Sequence, residues 1–124
     1  MKRDMDLIRR IALEAEDLPP RHALTAMDGV DADTFGVHVA WMKEAGLLVA
    51  DITEFWSDDP PKVHAHRLTW AGCEFLDAAR SDTTWKKVKD RVLAPGMSFT
   101  FDVLKEALKA EIIQGFPATR ALLK

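Results

Sequence analysis

Two short runs, Trp41-Met42-Lys43-Glu44-Ala45-Gly46-Leu47-Leu48 and Arg67-Leu68-Thr69-Trp70-Ala71-Gly72, decide how this chain folds. The first reads as the end of a helix, because Gly46 can take the left-handed conformation that closes a helix C-terminus. The second opens a new helix, with Thr69 placed so that its hydroxyl can accept a first-turn N–H. Between them, Leu47 to Phe55 and Val63 to Leu68 read as two strands. The polar, proline-stiffened stretch Ser57-Asp58-Asp59-Pro60-Pro61 makes the tip that joins them. The segment from Trp41 to Leu76 is therefore helix, β-hairpin, helix.

Upstream, one helix is expected from Asp4 or Asp6 to Glu16. At 100° per residue, Met5, Leu7, Ile8, Ile11, Ala12 and Ala15 share its inner side. Pro19-Pro20 ends it, Arg21 to Thr25 reads as a short strand, and Asp28-Gly29 as a turn. The next helix starts near Asp31 or Asp33 and runs to Gly46. Phe35, Val39 and Met42 form one apolar flank, Val37, Trp41 and Ala45 the other, with His38 between. Its outward arc holds Gly36, Ala40, Lys43 and Glu44. Downstream, a helix from Thr69 to about Arg80 turns Gly72, Phe75, Leu76 and Ala79 inward. A further helix capped at Ser81-Asp82 carries the stripe Trp85, Val88, Val92. After Ala94-Pro95-Gly96, a last helix runs from Ser98 or Thr100 to about Gln114 on the face Phe101, Leu104, Leu108, Ile112. The expected class is mainly α (α+β): residues 1–93 form one domain, and residues 94–124 add a C-terminal helix and tail packed on it.

The 124 residues suit one domain, and 48% apolar with 30% charged residues describe a folded globular chain. No apolar run approaches the ~20 residues that span a bilayer, and the first residues lack the apolar core of a signal peptide. The single cysteine, Cys73, excludes an internal disulfide and suits a reducing cytoplasm. Net charge is −3, unevenly spread: residues 1–60 hold six Lys/Arg against thirteen Asp/Glu, and residues 61–124 eleven against seven. Such polarity can orient a partner or a second copy.

The order helix, Gly-Leu-Leu, hairpin, Arg-Leu-Thr-x-x-Gly resembles bacterial winged helix-turn-helix regulators, in which the hairpin is the wing. A closer resemblance rests on four stretches. They are Met1 to Arg9, His38-Val39-x-x-Met42-x-x-Ala45-Gly46-Leu47, Arg67-Leu68-Thr69-Trp70-Ala71-Gly72-x-x-Phe75-Leu76-Asp77-Ala78, and Trp85-Lys86-Lys87-Val88-Lys89. Over about residues 1 to 93 these are similar to a bacterial and prophage family called domain of unknown function 2513. The resemblance implies a winged-helix-like core and a bacterial or phage cytoplasmic origin, and it brings no catalytic residues with it.

A winged helix places its recognition helix in the major groove, where Arg, Lys, Asn and Gln read bases, and the candidate here is the helix that ends at Gly46. Here that helix offers one lysine. Asp28, Asp31 and Asp33 at its start cancel the partial positive charge that attracts phosphate, each costing about 1 kcal/mol against a polyanion at surface dielectric. No additional helix is evident between Pro20 and Asp31. Residues available to nucleic acid are Lys62, His64 and Arg67 on the hairpin and Lys86, Lys87, Lys89 and Arg91 downstream, the last four reading equally as a solvated face. Residues available to a protein partner are Trp56 beside the tip and the off-stripe Val103, Ala107, Ile113 and Phe116. The expected function is a non-catalytic interaction or dimerisation module, with DNA binding as the alternative.

His64-x-His66 lies on a strand, so both rings share a face and could share a metal with Asp58, Asp59 or His22, although surface histidines account for the pair more simply. His38 is expected as a hydrogen-bonded core histidine, Cys73 as a packed thiol, and the tryptophans, except Trp56, at core spacing. No Gly-rich phosphate loop, nucleophile elbow or HExxH is present, so no enzyme, cofactor or small-molecule ligand is expected.

Overall fold

The computed structural model describes residues 1–92 and 100–115. The elements run α1 (Met5–Glu16), α2 (Ala32–Glu44), β1 (Leu48–Thr53), β2 (Lys62–Leu68), α3 (Trp70–Ala79), α4 (Asp82–Val92) and α5 (Phe101–Gly115). This is a mainly α chain with one antiparallel hairpin. It divides into two compact units, Met1–Leu76 and Asp77–Lys124.

In the first unit, α1 packs on α2 and β2, and α2 also packs on the hairpin. All six inner-side residues of α1 are buried, and they meet a core to which α2 adds Phe35, Val39 and Met42 and the hairpin adds Leu48, Ala50, Val63, Ala65 and Leu68. Each of the larger side chains among them, the Leu, Ile, Val, Phe and Met residues, contributes about 1.5–3 kcal/mol when fully removed from water. Asp4 caps α1 by accepting the Leu7 N–H at 3.2 Å. Its own N–H donates to Nε2 of His38 at 2.9 Å, and Nδ1–H of His38 donates to the Thr34 carbonyl at 2.8 Å. His38, 1% exposed, is thus a core histidine that ties α2 to the start of α1.

The end of α2 shows why Gly46 is required. Leu47 N–H donates to the Met42 carbonyl at 2.8 Å and Gly46 N–H to Lys43 at 3.0 Å, with Gly46 at φ +76°. This is the Schellman arrangement, which satisfies the last carbonyls of the helix. Leu47 then anchors the hairpin root. Its carbonyl accepts the Thr69 N–H at 3.0 Å, while the Thr69 hydroxyl donates to the Gly46 carbonyl and accepts the Gly72 N–H at 3.0 Å. Gly72 lies so close that a Cβ there would stand 2.1 Å from the Leu47 oxygen.

The expected strand Arg21–Thr25 contracts to a single antiparallel bridge, Leu24 to Ala65, with N–O distances of 2.9 and 3.0 Å. Pro19 and Pro20 donate no N–H, and Arg21 adopts φ +68°, so the chain turns instead of extending. No helix precedes α2 between Pro20 and Asp31.

In the second unit α4 packs on α5. Ser81 and Thr100 supply the caps, accepting the Thr84 and Val103 N–H groups at 3.2 and 3.3 Å. Trp85, Val88, Leu104 and Leu108 are buried, while Val92, Phe101 and Ile112 are half-buried at the edges of the expected stripes. No helix among the described residues is long and apolar enough to cross a membrane.

Candidate functional site

The hairpin has an inner and an outer face because side chains alternate along a strand. That alternation breaks once. Val49 pairs with Arg67 but Ala50 with Ala65, leaving His66 as the extra residue of a β-bulge. The break lets Ala65 and Leu68, three apart, both point to the core while His64, His66 and Arg67 are all exposed. The rings of His64 and His66 stack with centroids 6.4 Å apart. Nε2 of His66 donates to the Asp51 carboxylate at 2.8 Å. That hydrogen bond, with the imidazole's charge, holds the Asp51 carboxyl below its usual range. Lys62 is exposed on the same strand. The hairpin residues Lys62, His64 and Arg67 therefore reach solvent together. Among the described residues, no three His, Cys, Asp or Glu side chains are disposed to hold a metal ion.

The other cationic group is differently employed. On α4, Lys87 pairs with Glu111 of α5 at 3.1 Å, and Arg91 pairs with the other oxygen of the same carboxylate. The Lys87 hydrogen bond, aided by the charge of both cations, holds the Glu111 carboxyl below its usual range. Glu111 is only 10% exposed, so these cations join two helices. Lys86 is exposed and Lys89 half-buried.

α2 departs from its helical wheel. Gly36, expected on the outward arc, is buried under the returning hairpin, where a Cβ would stand 2.6 Å from Cγ of Pro61. Val37 and Trp41, expected to face inward, are half-buried, and Ala45 is exposed. The hairpin covers one flank of α2, and the side left open carries Asp33, Val37, Ala40, Trp41, Lys43 and Glu44, so Ala40, Lys43 and Glu44 stay outward as expected and Gly36 does not. Asp31 caps the helix through the Thr34 N–H at 2.8 Å, and this bond, with the Thr34 hydroxyl, holds its carboxyl below the usual range.

Of the residues read as available to a protein, Trp56 is fully exposed, Val103 is exposed at 48%, and Ala107 is half-buried. The side chain of Ile113, and Phe116, lie outside the described residues. Trp70, at core spacing in the sequence, is 81% exposed, and its indole N–H donates to Glu74. Cys73 is exposed and not packed. Both sit on the outer side of a helix whose inner side is set by Gly72, Phe75 and Leu76.

A cavity of about 470 Å³, not expected from the sequence, is lined by the end of α1, the turn Pro19–His22, the end of β2 and Cys73. His22 N–H donates to the Pro19 carbonyl at 3.2 Å, so Pro20 and Arg21 are the central residues of that turn. The signals were there: Pro at the second turn position, and an odd spacing between Ala65 and Leu68 that period-two alternation cannot accommodate without a bulge.

No solved structure matches this chain at a significant level. An uncharacterized protein of Haemophilus influenzae is 32% identical over 117 residues, which span 92% of this chain and 98% of that protein. Residues 2–98 match the family described as "Hypothetical protein (DUF2513)". The chain belongs to the DUF2513 family.

Proposed function

We propose that this protein is a non-catalytic interaction module on a winged-helix-like scaffold, and that it recognises another protein or a second copy of itself. The order α1, bridge at Leu24, α2, β1, β2 supports the scaffold, with the hairpin as wing and a plain turn where a further helix would precede the reader. The observation that carries the function is the open arc of α2. Val37, Ala40 and Trp41, each half-buried, form an apolar strip edged by Asp33 and Glu44 against the single cation Lys43, a surface better suited to protein than to phosphate. The fully exposed Trp56 supplies an aromatic anchor on the wing. His38 is read as structural, since its two ring nitrogens are both committed to backbone partners.

The second reading, a DNA-binding regulator, is favoured by one feature: the bulge that turns His64, His66 and Arg67 outward together beside Lys62. Fluorescence anisotropy with duplex DNA across salt separates the two. The interaction reading expects no saturable change at low ionic strength, where phosphate-driven binding is strongest. Saturable binding that weakens steeply with salt and is lost in Arg67→Glu would overturn it. Light scattering is expected to give a mass above the 13.9 kDa of one chain, or a monomer that gains a protein partner, with Val37→Glu abolishing either association.

A further inference from the structure

Two local irregularities, unrelated in sequence, deliver cations to the same cavity. The first is Arg21. It occupies the third position of the Pro19–His22 turn at φ +68°, where a type II turn ordinarily takes glycine. An L-residue with a side chain is strained there, yet the residue in this chain is an arginine. The second is the bulge at His66, which exposes both His66 and Arg67 where regular alternation would have hidden one of them. Arg21, His22, His66 and Arg67 all line the cavity, with the carboxylate of Glu16 in the lining and that of Asp51 engaged by His66.

We infer that this cavity is a binding site for a small anion, a carboxylate or phosphate carried on an apolar body. Its volume, about 470 Å³, falls in the range of small-molecule pockets. The guanidinium fork of Arg21 or Arg67 matches the paired oxygens of either anion. Arg67 spends one of its donors on the Leu68 carbonyl at 3.1 Å, which orients the group at the cavity wall. His66 is steadied by Asp51 in the same way. Leu18, Pro19 and Leu68 supply apolar lining for the body of the ligand. The site lies on the α1–β2 side of the hairpin unit and involves no residue of the open α2 arc, so it stands or falls separately from the interaction reading.

Amide NMR titrations with phenyl phosphate, benzoate and benzyl alcohol test it and separate the two anion chemistries. At least one of the two anions should give saturable shifts at Arg21, His22, Arg67, Leu68 and Cys73, and the neutral alcohol should not. Arg21→Gly relieves the turn and so should melt no lower than the wild type, yet bind that anion about tenfold more weakly. Arg67→Gln should weaken it comparably. The single cysteine gives an independent readout, since the bound anion should slow alkylation of Cys73 by N-ethylmaleimide. Absence of saturable shifts with both anions, equal binding of benzyl alcohol, or undiminished binding by Arg21→Gly would overturn the assignment.

Discussion

The root and the tip of the hairpin belong to one element and obey opposite rules. At the root, backbone meets backbone: Leu47 bonds Thr69, Thr69 bonds Gly46 and Gly72, and Gly72 lies against Leu47 with no room for a methyl group. At the tip, from Phe55 to Pro60, every residue is exposed, and Trp56 is fully so. The root determines where the hairpin goes through bonds that are committed within the fold, although Trp70 beside it is exposed. The tip presents surface and, being outside the core, constrains little. Substitutions graded from one end to the other should therefore trade stability effects for binding effects.

The largest effect is expected at Gly72→Ala. The new Cβ would meet the Leu47 oxygen at 2.1 Å and its carbonyl carbon at 3.0 Å, and backbone cannot swing aside as a side chain does. Against a helix-propensity gain of about 1 kcal/mol, the overpacking should leave a net loss of roughly 3 kcal/mol. Thermal denaturation should show a fall in Tm of about 10 °C or more. Thr69→Ala comes next. It removes both the cap on the Gly72 N–H and the tie to the Gly46 carbonyl, and urea unfolding should register about 1–2 kcal/mol.

The ease of reading this chain from sequence followed the same gradient. Gly46, Thr69 and Gly72 announce the root because each residue type answers a local backbone demand: a left-handed closure, a cap, a close approach. The buried side of α1 was legible for a similar reason, since its six apolar residues repeat at helical period. On α2 the wheel places Lys43 and Glu44 outward, as found, but it does not say which neighbour covers which flank; Gly36 shares their arc and is buried because Pro61 lies over it. Charge was equally mute. Lys87 and Arg91 spell a basic face in sequence, and only α5, arriving with Glu111 from twenty residues on, shows their use. The cavity is not legible in the sequence because its arginines come from a turn and a bulge, two departures from regular period.

Gly36→Ala sharpens the contrast between the two glycines. Its Cβ would stand 2.6 Å from Cγ of Pro61, also a clash, but this neighbour is a half-exposed ring next to the tip. A shift of Pro61 and the gain in helix propensity should offset each other to within about 1 kcal/mol. A loss as large as that of Gly72→Ala would show the tip to be held as firmly as the root. Midway along the hairpin, Asp51 has a depressed carboxyl pKa, owing first to the His66 hydrogen bond. A depressed folded-state value means the stabilisation is present above the unfolded carboxylate range and lost as pH falls through the folded value. The stability difference between wild type and Asp51→Asn should therefore shrink on acidification through that range, and a constant difference would rule out the ion pair as its source.

The smallest stability effect belongs to Trp56→Ala. Its indole is fully exposed, so truncation removes almost no buried area and urea unfolding should change by less than about 0.5 kcal/mol. The same change removes the largest aromatic surface on the hairpin, the kind of group that dominates protein interfaces when covered. If the tip is a recognition element, this variant should keep the wild-type midpoint and lose association in light scattering or partner titration. A clear loss of stability instead would mean that Trp56 packs within the fold, and the division between a structural root and a presenting tip would fail at its far end.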